Sequence, residues 1–239
     1  ALVDVEVARC ETDRQGRRLD LAVQADLVDV VRQGASGVQC ADRPAVDVEP
    51  IEPASLAALI GAARDTARPI VILDQVTDPH NVGAVLRSAA VFGAAGIVMT
   101  YRHSPPLGGA LAKAASGALE LTPVSLVRNL ADAIGEIRAA SLPVIGLDAE
   151  GTDFLENALP APPSAFALAL GAEGKGLRAL TRASCDRLCR IGGDGPISSL
   201  NVSNAAAVAL HVAGQLHWPG VRSPDRGGRP PSAGASSTT

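Results

Sequence analysis

Between Pro69 and Leu216, short apolar runs bounded by proline, glycine or aspartate alternate with longer segments of helical periodicity. Short apolar runs between turn residues read as buried strands, and small or apolar residues recurring every three or four positions read as helix. The pattern predicts strands at Pro69–Asp74, Gly96–Thr100, Leu121–Val124, Pro143–Asp148, Phe166–Leu170 and Arg187–Ile191. It predicts helices at Ser55–Ala67, Asn81–Phe92, Leu111–Ser116, Asn129–Ala140, Gly176–Ala183 and Asn201–Leu216. Strict alternation of the two predicts an α/β fold built on a parallel sheet.

Three stretches within this region carry polar groups at strand-to-helix junctions. The last, Ile197–Leu210, begins with the amides and hydroxyls of Ser198, Ser199, Asn201, Ser203 and Asn204. Val202, Ala205, Ala206, Ala209 and Val212–Ala213 then recur at helical spacing. Serine and asparagine favour helix starts because their side chains accept hydrogen bonds from unpaired backbone N–H groups. This stretch is therefore either a capped core helix or a polar loop entering a helix whose small face lets a ligand or another backbone approach.

The first stretch, Leu73–Gly93, runs from a strand through Asp78-Pro79-His80-Asn81 into a helix bearing Gly83 and Arg87. Asn81 and Arg87 lie nearly two turns apart and are expected along one side near the helix start. A guanidinium there either binds phosphate or hydroxyl, or pairs with a carboxylate of the protein. The second stretch, Leu168–Leu177, places Gly171-Ala-Glu173-Gly174-Lys-Gly176 where a strand ends and a helix begins, the edge at which parallel sheets bind ligands. It is not a Walker loop, because no Ser or Thr follows Lys175, and its spacing is not that of a dinucleotide fingerprint.

In this order the three stretches resemble motifs 1, 2 and 3 of the SpoU family of RNA ribose 2′-O-methyltransferases, in the SPOUT superfamily. The resemblance is nearest to bacterial 23S rRNA guanosine 2′-O-methyltransferases, and it covers roughly Pro69 to Leu216. It implies a C-terminal trefoil knot, S-adenosylmethionine as cofactor, RNA as substrate and a cytoplasmic homodimer whose site gathers residues from both subunits. It implies cofactor contacts from Gly171, Glu173, Gly174, Ile191, Leu200, Asn201 and Ser203. Arg87 is implied as the residue acting on the ribose hydroxyl, with Asn81, Glu173, Ser199 and Asn201 orienting the substrate and fixing the site. No metal is implied, and methyl transfer from a sulfonium needs alignment and management of one proton. Two alternatives remain open: a tRNA ribose methyltransferase of the same family, and a knotted RNA-binding protein without catalysis.

Outside this region less is legible. Residues 1–53 carry candidate elements at Leu2–Val7 and Leu19–Val31, and Arg32-Gln-Gly34 resembles the end of an N-terminal RNA-gripping domain found in family members. The segment is shorter than such a domain, so it reads as a truncated one or as an incomplete sequence beginning at Ala1. Residues 54–218 read as the methyltransferase domain, and 219–239, rich in Pro, Gly, Ser and Arg, as a disordered tail. Aromatic residues make up 2% of the chain, so the core is expected to be aliphatic. The net charge of −4 argues mildly against nucleic acid, but its distribution matters more than its total. Apart from Lys113 and Lys175 all Lys and Arg charge is arginine; clusters fall at 14–18, 178–190 and 222–229, and each also reads as a solvated face. Cys10, Cys40, Cys185 and Cys189 lack metal-site spacing and read as free thiols.

Overall fold

The computed structural model describes residues 51–193 and 199–217. The readings of Leu2–Val7, Leu19–Val31, Cys10, Cys40, Ser198, the terminal arginine clusters and the tail lie outside them.

Strand β1 (Ile70–Asp74) is buried from end to end and lies beside the central strand of the sheet. Ile70 and Ile72 face one layer of helices, Val71 and Leu73 the other, so both faces of the strand must be apolar. Six further strands join it: β2 (Gly96–Thr100), β3 (Val124–Val127), β4 (Val144–Leu147), β5 (Asp153–Phe154), β6 (Ala167–Gly171) and β7 (Arg187–Arg190). They pair in the order β3-β2-β1-β6-β4-β7-β5, every pair parallel. The expected α/β fold with a parallel sheet is what the chain adopts.

Helices cover both faces. On the first lie α2 (Pro79–Phe92), α3 (Gly109–Ala115), α4 (Ala118–Leu121), α6 (Leu155–Ala158) and α8 (Val202–His217). On the second lie α1 (Leu56–Thr66) and α5 (Leu130–Ala139), with α7 (Ala179–Ser184) packed on α5. Burying each Leu, Ile or Val of these layers stabilises the fold by about 1.5–3 kcal/mol. The core is aliphatic as expected, with Phe166 its one aromatic ring among the largest fully buried side chains described.

Local signals set the ends of the elements. Ser55 caps α1 through Ala58 N, Asp78 caps α2 through His80 N, and Asn129 caps α5 through Ala131 N. The Asp78 cap with Pro79 in the first turn starts α2 two residues before the expected Asn81. Two other boundaries differ. The strand expected at Leu121–Val124 is Val124–Val127, because Gly117, at φ 86°, starts the turn α4, which buries Ala118 and Leu119. The helix expected from Gly176 begins at Ala179, because Gly176 has φ 63° and the Arg178 N–H donates to Asp74 rather than into a helix. β5 and α6 have no counterpart in the sequence pattern, since both are too short to leave a periodic signal.

The small face of α8 is spent inside the protein. Val202, Ala206, Ala209 and Ala213 are buried, and the helix packs on α2 and β6. Its last residue, His217, is 6% exposed, with its ring centroid 5.1 Å from that of Phe166. Burial lowers the pKa of this imidazole, and a backbone hydrogen bond at Pro160 offsets part of the shift. The folded chain thus holds the neutral form, while the unfolded chain protonates below about pH 6.5. Stability is expected to fall as pH drops from about 6.5 toward the lowered folded value. In His217→Gln the Tm difference between about pH 7.5 and about pH 5.5 should narrow, as thermal melts at the two values will show.

Candidate active site

Because all strands are parallel, β1 and β6 end at the same edge of the sheet, side by side, with Asp74 paired to Gly171. The chain leaves β1 for α2 on the first face and β6 for α7 on the second. Neighbouring strands whose connections depart to opposite faces leave a crevice at their carboxyl ends. The segments following β1 and β6 are motifs 1 and 2, and the start of α8 is motif 3.

Asp74 fixes this junction. Its carboxylate has no solvent exposure, yet it accepts from the backbone N–H of Arg178 at 2.9 Å and from Arg178 Nε at 2.7 Å. One side chain at the end of β1 thereby holds the exit of the motif 2 turn, 104 residues later. The sequence showed Asp74 only as a strand boundary; an aspartate closing an all-buried apolar run was the available sign.

The turn between them is made for close backbone approach. Gly171 lies against the backbone of Gly176 and Leu177, where any Cβ would collide. Gly174 and Gly176 have φ of 74° and 63°, a region that side chains other than glycine rarely adopt. The turn closes with Gly176 N–H donating to Ala172 O at 2.8 Å. Gly83 of motif 1 is a packing glycine: a Cβ there would stand 2.6 Å from that of Ala114, so α2 and α3 touch at that point.

On this frame three side chains, one from each motif, meet. Asn81 Nδ2 donates to Glu173 Oε1 at 3.0 Å. Asn201 Nδ2 donates to Asn81 Oδ1 at 3.0 Å and also to Glu173 Oε1. The orientation of Asn201 is imposed from behind. Its Oδ1 accepts from Ser203 N at 2.8 Å and Ser203 Oγ at 2.6 Å, capping α8, so its amide nitrogen must face Glu173. Sequence separations of 92, 120 and 28 residues close into one ring of hydrogen bonds.

The remaining predicted residues divide. Gly171, Gly174 and Ile191 lie at the carboxyl ends of β6 and β7, either side of β4, and Ile191 is half-buried against the core. Ser199 and Leu200 are exposed just before α8, with Leu200 showing 52% of its surface. The structure does not bring Arg87 to this ring. Six residues carry it about 9 Å along α2 and about 120° around it from Asn81, so the two do not share a side. Arg87 is exposed, and among the described residues no carboxylate pairs with it.

The arginine cluster at 178–190 is not a free basic face. Besides Arg178, Arg182 pairs with Asp148 at 3.1 Å, Arg187 donates to Asn157 O, and Arg190 donates to Gly151 O and lies over the Phe154 ring. Cys185 and Cys189 are free thiols, and burial pushes them up to about 11 and about 12. Among the described residues no His, Cys, Asp or Glu group is arranged to hold a metal, and no helix is long and apolar enough to cross a membrane.

Residues 68–211 match the model of the SpoU rRNA Methylase family. The chain is 40% identical over 145 residues to the 23S rRNA (guanosine-2′-O-)-methyltransferase RlmB of Vibrio parahaemolyticus, covering 60% of this chain and 58% of that protein. It is 38% identical over 168 residues to an uncharacterized tRNA/rRNA methyltransferase of Mycolicibacterium vanbaalenii, covering 70% and 53%. Among solved structures it resembles the SpoU methyltransferase AviRb of Streptomyces viridochromogenes in complex with AdoMet, with TM-score 0.56, 28% identity, and coverage of 63% and 58%. The chain spans little more than half the length of the relatives it matches.

Removing Arg178 strands a fully buried carboxylate, whereas removing Asp74 leaves a guanidinium that reaches solvent. Arg178→Ala should therefore destabilise the fold more than Asp74→Asn does. The expected loss is about 1–3 kcal/mol, discounted because the guanidinium is 44% exposed. Denaturant unfolding of the two variants checks the order.

Proposed function

The chain belongs to the SpoU rRNA methylase family, and on that footing we propose that it transfers a methyl group from S-adenosylmethionine to a ribose 2′-hydroxyl of RNA, most directly a guanosine of 23S rRNA. The observation that carries this reading is the ring formed by Asn81, Glu173 and Asn201, which joins the three motifs at the carboxyl edge of the sheet. A noncatalytic RNA binder has no need to hold these three polar side chains together.

The cofactor fits the residues present. The turn at Gly171–Gly176, with open space beside Gly174 and Gly176, gives backbone access, and Ile191 and Leu200 offer apolar surface beside it. Glu173, Gly174, Asn201 and Ser203 complete its surroundings, and the resemblance to the family adds a knotted path for the C-terminal part of the chain. When bound, the cofactor supplies an electrophilic methyl sulfonium; the protein aligns the ribose oxygen and manages the proton. Glu173 Oε1 is occupied by two amides, while Oε2 makes no hydrogen bond among the described residues and is available to a ribose hydroxyl. Asn81 and Asn201 hold that carboxylate in place, and Ser199 lies at the entrance to α8.

Arg87 acts in this reading from the neighbouring subunit of a homodimer. Its distance from its own Asn81 argues for that, as does the surface around it. Val91, one turn along α2, is 77% exposed, and Asn204, Val208 and His211 form an exposed stripe on the adjoining α8. The proposed place of this activity is the cytoplasm, and residues 1–53 are proposed as part of its RNA grip.

Arg87→Lys keeps the charge but loses the planar fork. Single-turnover methylation of RNA should fall about a hundredfold, equivalent to roughly 2.7 kcal/mol of transition-state stabilisation. Calorimetry in EDTA should meanwhile show cofactor binding unchanged, and the Tm should hold as well. A variant with native turnover removes Arg87 from the chemistry; a wild-type chain that binds no S-adenosylmethionine removes the whole reading.

A further inference from the structure

Of the arginines in the described residues, most are committed within the protein. Arg68 donates to Phe92 O, Arg138 pairs with Asp186, and Arg178, Arg182, Arg187 and Arg190 have the partners given above. Four are not: Arg64, Arg87, Arg102 and Arg128 have no partner among the described residues. Arg64 lies near the end of α1, at the opposite edge of the sheet from the site. Arg102 and Arg128 lie at the same edge as the site, just past the carboxyl ends of β2 and β3.

The register brings these two together with an aromatic ring. Thr100 of β2 pairs with Val127 of β3, and Tyr101 N–H donates to Val127 O at 3.0 Å, so Tyr101 and Arg128 leave the sheet side by side. Thr100 Oγ donates to Arg102 O and His103 turns the chain at φ 64°, which fixes the loop that carries Arg102. Tyr101 is 62% exposed, in a chain with one tyrosine, one tryptophan and three phenylalanines. A scarce residue type is thus spent on the surface, where its ring and two unpaired guanidiniums offer stacking and positive charge at one place.

We propose that Tyr101, Arg102 and Arg128 form a landing platform for single-stranded RNA beside the site. A base adjacent to the methylated nucleotide stacks on Tyr101, and its phosphates are held by Arg102 and Arg128. Strands are spaced about 5 Å apart, so β2 and β3 set the platform roughly 5–10 Å from the β1–β6 crevice. That is the reach of a neighbouring nucleotide once the target ribose sits near Glu173. Aromatic rings accept any base face and guanidinium forks suit phosphate, which makes unpaired RNA the partner such a group fits. The inference rests on the RNA methyltransferase reading and adds the residues that hold the flanking strand.

The test uses the full chain with S-adenosylhomocysteine and a labelled single-stranded RNA of about 20 nucleotides and mixed sequence, read by fluorescence anisotropy over a range of salt. Tyr101→Ala should weaken binding about 5- to 150-fold, the change that about 1–3 kcal/mol of stacking represents, and Tyr101→Phe should restore it. Arg102→Gln with Arg128→Gln should flatten the plot of log affinity against log salt by about 1.4, or about 0.7 for each phosphate no longer neutralised. These side chains are exposed, so melting temperature and calorimetric cofactor affinity should stay at wild-type values. Unchanged RNA affinity in all variants overturns the platform while wild-type methylation keeps the enzyme reading intact. Unchanged RNA affinity with conversion of a dimer to monomer likewise overturns it and assigns the patch to a subunit contact. A wild-type chain that neither binds nor methylates RNA overturns both.

Discussion

The carboxylate of Asp74 closes the most buried strand of the sheet, and the geometry of the candidate site depends on where it is held. A charge with no solvent exposure persists only if its partners are in place. Here both come from Arg178, on the far side of the motif 2 turn. The pair ties the end of β1 to the exit of β6 and sets the turn that presents Glu173. Motif 1 follows from β1, so the same anchor sets Asn81 relative to Glu173.

The second constraint is the amide of Asn201. Its oxygen is taken by the first turn of α8 and its nitrogen by Asn81 and Glu173, so one residue both starts the helix and completes the ring. The small residues behind it matter for the same reason. Ala206, Ala209 and Ala213 let α8 sit close to α2, which brings a cap at the start of one helix within reach of a side chain near the start of the other. The ring thus draws on helix capping and close packing. Cys185 and Cys189, which burial pushes up, and His217, which burial lowers, lie outside the ring.

Much of this was legible in the chain. Alternating apolar runs and helical segments pointed to the parallel sheet because each buried strand is apolar on both faces, as β1 is. Asn81, Glu173 and Asn201 were picked out by their motifs, and the structure joins them. Other features could not be read in advance. The six-residue spacing from Asn81 to Arg87 suggested a shared side, but the helical pitch rotates them apart. The arginines after motif 2 looked like a solvated cluster, since pairing with Asp74, Asp148 and backbone carbonyls depends on contacts distant in sequence. The Tyr101–Arg128 neighbourhood arises from strand register, which no local pattern encodes. The alanines of α8 were visible as a small face, but whether that face met a neighbouring helix, a ligand or a second subunit was settled only by packing.

If the three converging motifs methylate a ribose of RNA, a map of 2′-O-methylation in total RNA will carry their mark. RNA from cells lacking this gene should lose a single ribose methylation, expected at a guanosine of 23S rRNA, and purified chain with S-adenosylmethionine should restore it, whereas Glu173→Ala should not. Identical ribose-methylation maps with and without the gene would leave the three motifs without this role.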